Sequence, residues 1–430
     1  MGPVMEGSDA SGGLACCDRL QAAPLSRLPS IEEVRAKALA LAASVAGMED
    51  VPLGAARGRV LAGDVTAPLP LPLHDHSAVD GFALGSLGRD SYTVGSRIAA
   101  GDSDRQRPLG PGDAARIFTG APIPPGTAAV IMQEHARRDG TRLRPAVVAA
   151  PGEHVRRSGE DVRCGDVLVR AGSILDARHV AILAASGIAA VTVRRPVRVA
   201  VLSTGSELRD PGAPAGNGAI YDSNRWMLAA LLDSPAIALV DLGILPDAPD
   251  VIARRLRQAG QSADLVISTG GVSVGEEDHL KAALVAAGGE MASWQMAIKP
   301  GKPVVIGRIG AAVYIGLPGN PLAAFIDFLL IARPVLQSLA GATPSPLRSL
   351  PAKAGFAWSR EPGRTEFFPA AVVGTDDRGC PVLEKLGKGG SARLKPLIAA
   401  DGLAVVAARR TEVAPGSDLD WYPFRSCFAL

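Results

Sequence analysis

The sequence predicts a multidomain chain of the α/β plus β class, in which a parallel doubly wound α/β domain is joined to smaller β-rich parts. Two observations carry this. Strand and helix patterns alternate through residues 197–287: apolar runs at 197–202, 237–242 and 265–267, with helical patterns near 224–232, 250–259 and 278–287. Short apolar runs broken by Gly/Pro turns instead fill residues 51–151, and again the stretch from Ala352 onward. With 430 residues, the chain has the length of about three domains and ample material for their cores.

Taken in order, residues 1–29 are rich in Gly, Ser, Ala and Pro and read as a disordered tail. They lack a basic segment followed by an apolar one, so they do not read as a signal peptide. Ser30-Ile31-Glu32-Glu33 is a capping box, and Ile31, Val34, Ala38, Leu41 and Val45 follow at helical spacing. Turns such as Gly110-Pro111-Gly112 and Pro124-Pro125-Gly126 punctuate a β-rich module. Residues 152–193 mix short strands with a helical stretch at 177–185, and Arg194-Arg195-Pro196 leads into the α/β domain. Residues 343–351 form a Pro/Ser-rich linker, and the strands after it suggest a small β-barrel.

Net charge is only +2 and aromatics are 4%, which argues against a nucleic-acid partner. No uncharged run is long enough to span a bilayer, so no membrane role is expected. Cys16, Cys17, Cys164, Cys380 and Cys427 form no Cys-x-x-Cys pair and none has a His at ligand spacing. Scattered free thiols suit a reducing cytoplasm.

The most informative stretch is residues 264–278. Leu265-Val266-Ile267 reads as a strand buried on both faces, and it empties into Ser268-Thr269-Gly270-Gly271. Glycines let a ligand approach the backbone, and the freed N–H groups and hydroxyls can cradle an anion. Glu276, Glu277 and Asp278 follow at once. Acid beside an anion cradle is repulsive unless a cation joins them, which points to Mg²⁺ and a phosphate-bearing substrate. Two other strands end alike, one in Ser203-Thr204-Gly205-Ser206-Glu207-Leu208 and one in Gly316-Leu317-Pro318-Gly319-Asn320-Pro321. Pro321 suits the first turn of the amphipathic segment carrying Phe325 and Phe328. Open parallel sheets bind ligands at the carboxyl ends of their strands, so three such loops mark a crevice.

Lys299-Pro300-Gly301-Lys302-Pro303 pins two lysines between strands, where they would serve as compact charges for phosphate or another oxyanion. His74-Asp75-His76 invites a metal reading, although a solvated loop is simpler. Thr119, at the end of an apolar segment, could offer its hydroxyl to an anion. Arg156-Arg157-Ser158-Gly159-Glu160-Asp161 reads as a salt-bridged surface loop, and Arg254, Arg255 and Arg257 as the solvated face of a helix.

These motifs occur in a recognisable order. They run Ala78-Val79-Asp80-Gly81-Phe82-Ala83, Phe118-Thr119-Gly120-Ala121-Pro122, the Ser203 loop, Tyr221-Asp222-Ser223-Asn224-Arg225, Ser268 to Gly275, the lysine loop, and Gly316 to Pro321. In this the chain resembles the MoeA family of molybdopterin molybdenumtransferases, similar to the E domain of gephyrin, from about residue 30 to the end. The resemblance implies four domains: an elongated split domain (30–50 and 152–195), an inserted β module (51–151), the α/β molybdopterin-binding domain (196–342) and a C-terminal β-barrel (343–430). It also implies a cytoplasmic homodimer whose site joins the α/β domain of one subunit to the β module of the other. The implied reaction inserts molybdenum from molybdate into adenylylated molybdopterin and releases AMP. A molybdopterin adenylyltransferase would act upstream.

On that resemblance Glu207, Asp247 and Asp278 would hold Mg²⁺, Lys299 and Lys302 would face the anions, and Asp80 and Thr119 would position molybdate or a water. Ser203, Thr204, Gly205, Ser223, Asn224, Thr269, Gly270, Gly271, Ser273, Gly275, Pro318, Gly319 and Asn320 would line the molybdopterin site. Val79 stands where a Met is usual, Gln295 where some members carry a lysine, and Lys395-Pro396 where a Ser-rich pair is expected. Two rival readings follow from the same kinship. The α/β domain alone resembles the single-domain molybdopterin adenylyltransferases, and gephyrin's related domain also acts as a scaffold.

Overall fold

The computed structural model describes residues 28–45, 47–102, 107–214, 216–272, 280–387, 390 and 392–424. Ser273, Gly275, Glu276, Glu277, Asp278, Cys16, Cys17 and Cys427 therefore lie outside the described residues, as does the N-terminal tail to residue 27. The chain divides into two compact bodies, residues 48–193 and a second made of residues 1–47 with 194–430.

The chain enters through α1 (Ile31–Leu41), which belongs to the second body. The Ser30 side chain accepts from Glu33 N while Glu33 accepts from Ser30 N, so the expected capping box is formed. Val34 and Ala38 are fully buried, and the helix ends where Arg308 donates to Leu41 O and Val45 N donates to Leu339 O.

The first body holds a six-stranded sheet of β1 (Gly81–Leu84), β2 (Tyr92–Ile98), β3 (Asp113–Ile117), β4 (Ala129–Met132), β5 (Ala136–Asp139) and β6 (Arg142–Pro145). The spatial order is β4-β1-β3-β2-β6-β5, parallel only between β2 and β3. One side of it packs Phe82, Leu84, Tyr92, Val94, Ile131 and Leu143. The flanking segments form a separate small core: Met48–Pro52 pairs with Ala190–Arg194, and Leu61, Val169, Leu175 and Val193 pack with α2 (Ala177–Ala185) through Leu183. Asp176 caps α2 through its carboxylate.

In the second body, β7 (Val197–Thr204), β8 (Ile237–Leu245) and β9 (Leu265–Thr269) are followed by β10 (Gly289–Gln295), β11 (Ile298–Lys299), β12 (Pro303–Ile309) and β13 (Ala312–Leu317). The sheet order is β8-β7-β9-β13-β12-β10. Its first four strands are parallel, as the alternating pattern predicts; β12 and β10 extend it antiparallel. All of β9 and β13 is buried, which explains their uninterrupted apolar runs. Helices α3 (Asn224–Leu231), α4 (Pro249–Ser262), α5 (Leu280–Ala286), α6 (Pro321–Asp327) and α7 (Arg333–Leu339) accompany the sheet. Arg254, Arg255 and Arg257 do lie on the exposed face of α4. Pro321 occupies the first turn of α6, and a π-helical turn at Phe328–Ala332 joins α6 to α7. The whole stretch Pro321–Leu339 is long and apolar enough to cross a membrane by length and composition alone, yet it carries Asp327 and Arg333 and is 67% buried in the body.

Five strands close the C-terminal barrel: β14 (Leu350–Ala354), β15 (Thr365–Thr375), β16 (Pro381–Lys385), β17 (Gly402–Val406) and β18 (Asp418–Pro423). They run β15-β16-β14-β18-β17, and the pairing of β17 with β15 completes the ring. Closure removes the exposed edges of an open sheet. The short β11 attaches to the outside of β15 in parallel, with Ile298 opposite Thr365 and Lys299 opposite Glu366. A segment of the α/β domain is thereby fixed to the barrel wall.

Candidate active site

The carboxyl ends of β7, β9 and β13 meet, as their loops predict. Gly205 N donates to Leu245 O (3.2 Å) and Gly270 N to Leu317 O (3.2 Å). Ser203 Oγ and Thr269 Oγ1 bond each other at 2.9 Å, both buried. These two hydroxyls therefore hold the loops together, and Thr204 and Thr269 also reach a cavity wall. Gly270 has φ +85°, and a Cβ there would stand 2.5 Å from Thr204 O. Gly319 packs beside it: a Cβ there would make only an ordinary contact, 3.6 Å from Gly270 Cα. At Gly270 only glycine permits the approach.

Two adjoining cavities open at these loops. One of about 320 Å³ is lined by Thr204, Gly205, Glu207, Asp247, Gly270, Gly271, Pro318, Gly319 and Asn320, among others. A second of about 470 Å³ shares Thr204, Glu207, Gly270, Gly319 and Asn320 and adds Tyr221, Ser223, Asn224 and Thr269. Asn224 is buried; its Nδ2 donates to Gly319 O at 2.7 Å, while its Oδ1 accepts nothing. A buried acceptor left open is available to a ligand donor.

Glu207 and Asp247 face the smaller cavity together. Asp247 Oδ2 accepts from Ser206 N (2.7 Å), and Ser206 Oγ accepts from Asp247 N (3.1 Å). The Glu207 carboxylate folds over Gly205, where a Cβ would lie 2.7 Å from Oε2. Among the described residues no three His, Cys, Asp or Glu side chains gather as a metal cluster. The third expected acid, Asp278, lies outside the described residues, as do Ser273 and Gly275. Hard carboxylate oxygens beside backbone N–H groups nevertheless fit Mg²⁺, which commonly takes one or two protein carboxylates and completes its shell with water and substrate phosphate.

A third cavity, about 360 Å³, shares Pro303, Pro318 and Asn320 with the first and runs to the barrel. Lys299, Lys302, Arg364, Lys385 and Arg393 line it, with Glu366 as the acid among them. Lys299 Nζ lies 3.2 Å from Glu366 Oε1, and Arg360 Nε lies 3.1 Å from Oε2. Burial lowers the Lys385 pKa, Glu366 counters the shift and Lys299 adds to it. Its ammonium also sits 4.6 Å from the Trp358 ring centre. The lysine loop was legible in the sequence. Arg364, Lys385, Arg393 and Glu366 were not, because no local motif announces them. Gln295 is buried, opposite Pro303 in the pairing of β10 with β12, while Pro396 lines the cavity beside Arg393.

The first body brings Asp80 and Thr119 together across 39 residues of chain. Asp80 Oδ1 accepts from Thr119 N (2.8 Å) and Thr119 Oγ1 (2.9 Å). These bonds, with Arg116 nearby, hold the Asp80 pKa below the usual carboxylate value. Arg116 also donates to Gly81 O at 3.0 Å and lies over the Phe82 and Phe118 rings. It therefore ties together the strands that carry the pair. The Arg156 loop is salt-bridged as expected, to Glu160 and, through Arg157, to Asp75.

Three family models match the chain in order: the MoeA N-terminal region (domain I and II) over residues 29–187, a probable molybdopterin binding domain over 200–338, and the MoeA C-terminal region (domain IV) over 351–424. A molybdopterin molybdenumtransferase of Haemophilus influenzae is 39% identical, over 73% of this chain and 78% of the relative. Molybdopterin molybdenumtransferase 2 of Mycobacterium tuberculosis is 35% identical, over 86% of this chain and 93% of the relative. The crystal structure of the molybdopterin biosynthesis moeA protein of Pyrococcus horikoshii superposes with a TM-score of 0.78 at 28% identity, covering 92% of this chain and all of that one. With three family models matched in order and relatives 35–39% identical over most of its length, the chain belongs to the MoeA family of molybdopterin molybdenumtransferases.

Proposed function

We propose that this chain inserts molybdenum from molybdate into adenylylated molybdopterin, releasing AMP, in a Mg²⁺-dependent step of molybdenum cofactor synthesis. The observation that carries the reading is a run of connected cavities with two chemically different ends. Carboxylates and glycine N–H groups line one end, and five cationic side chains with one acid line the other. A pyrophosphate-linked dithiolene and a metal oxyanion need those two environments side by side.

In this reading Thr204, Gly205, Gly270, Gly271 and Gly319 give backbone and hydroxyl contacts to the pyrophosphate, and Asn224 offers its open Oδ1 to a donor on the substrate. Glu207 and Asp247, with Asp278, hold Mg²⁺, which neutralises phosphate charge when bound. Lys299 and Lys302, joined by Arg364, Lys385 and Arg393, receive molybdate. Asp80, fixed by Thr119, accepts a hydrogen bond from a water or orients the incoming oxyanion. We place Asp80 and Thr119 at the site of a partner subunit in a cytoplasmic homodimer, and a molybdopterin adenylyltransferase as the supplier of the substrate.

The test is AMP release and cofactor formation from adenylylated molybdopterin, with and without molybdate and Mg²⁺. Turnover that requires both agrees with the proposal. Tight substrate binding without turnover would favour a scaffold, and ATP-dependent adenylylation of free molybdopterin would favour an adenylyltransferase.

A further inference from the structure

Glu366 is the unexpected group in the cationic cavity. It is 8% exposed, and a carboxylate at the wall of an anion site opposes the anion's charge. Its surroundings show what it does instead. One oxygen bonds the Lys299 ammonium at 3.2 Å and the other the Arg360 guanidinium at 3.1 Å. The Arg360 side chain is itself 3% exposed and is anchored by donation to Ala407 O and Arg410 O. Behind both, Lys299 and Glu366 stand opposite each other in the parallel pairing of β11 with β15. The backbone register fixes their separation, the barrel fixes Arg360, and Arg360 fixes the carboxylate. Lys299 is the one outward member, with its side chain 52% exposed. A long lysine that would otherwise sample many rotamers is thereby held at one point of the wall.

We infer that Glu366 is a positioning residue for oxyanion binding, holding the Lys299 ammonium where molybdate must meet it. This rests on the functional reading above. It makes a prediction opposite in sign to simple electrostatics. Removing a negative charge from an anion cavity should tighten anion binding; removing the positioning of Lys299 should weaken it.

Glu366→Gln should raise the molybdate concentration for half-maximal AMP release about tenfold, the size of one charge-assisted hydrogen bond, with kcat changed far less. Direct titration of the full chain with molybdate should show the same weakening. In a Lys299→Ala background the Glu366→Gln change should add nothing, because the residue to be positioned is gone. Glu366→Asp keeps the charge but withdraws it by one methylene, and should fall between wild type and Gln; it serves if the Gln variant does not fold. Unchanged or tighter molybdate binding in Glu366→Gln, or costs that add fully to Lys299→Ala, would overturn the inference while an active wild type kept the functional reading standing. A folded wild type that neither binds molybdate nor releases AMP would overturn both.

Discussion

Asp327 shows what a single residue can cost and how it can be read. It ends α6, is fully buried, and neither of its carboxyl oxygens has a partner. One oxygen lies 2.3 Å from where a Cβ on Gly301 would stand, so it packs directly against the turn between Lys299 and Lys302. Burial raises its pKa well above 3.8. The linkage sign follows from that direction. A carboxyl with a raised folded pKa favours folding in its neutral form, so its contribution is fully present below the unfolded value. It is lost as pH rises through the folded value. Asp327→Asn cannot ionise. Wild type should therefore lose stability relative to Asp327→Asn by about 1.4 kcal/mol for each pH unit between the unfolded carboxyl value and the raised folded value, and level off above it. Thermal unfolding of both proteins from pH 5 to pH 9 measures this, and parallel Tm curves would refute it. Nothing in the sequence marked the residue, because an Asp in an amphipathic helix ordinarily faces water.

At the level of elements, the strand–loop units were legible because their causes are local. Residues 265–269 are apolar or small and buried, and Gly270 and Gly271 adopt φ +85° and +61°, which residues with a Cβ rarely hold. The barrel wall was illegible for the converse reason. Glu366 and Lys385 reach the lysine loop only because β11 pairs with β15 and β15 with β16, contacts between stretches far apart in sequence. The α/β sheet also ends in an antiparallel pair, β12 and β10, that periodicity alone does not distinguish from parallel strands. A glycine comparison separates strain from contact. Gly288→Ala, at φ +81° with nothing within 4 Å of the new Cβ, should cost about 1 kcal/mol from backbone strain. Gly270→Ala meets Thr204 O at 2.5 Å as well, and should cost about 2–4 kcal/mol. It should also raise KM for adenylylated molybdopterin, whereas Gly288→Ala leaves KM alone. Denaturant unfolding and steady-state kinetics decide between them, and equal costs at the two positions would mean that the Thr204 contact relaxes freely.

For the molecule as a whole, the expected site residues fall in two bodies: Asp80 and Thr119 in residues 48–193, and Glu207, Asp247, Lys299 and Lys302 in the other. If the homodimer proposed here builds each site from the first body of one subunit and the second body of its partner, the two sets of residues can be broken independently. Asp80→Asn homodimers and Glu207→Gln homodimers should each be inactive. After subunit exchange, half of the dimers are mixed. Each mixed dimer then holds one site with both defects and one with none. Activity should return to about a quarter of the wild-type value, a ratio set by the two-fold symmetry alone. If each site is built within one chain, every site in the mixture keeps one defect and no activity returns. Measuring AMP release before and after exchange, with the proportion of mixed dimers checked by a tag on one variant, distinguishes the two arrangements. Recovery that tracks the mixed fraction would assign Asp80 to the partner's site; a mixture as inactive as its parents would return Asp80 to its own chain.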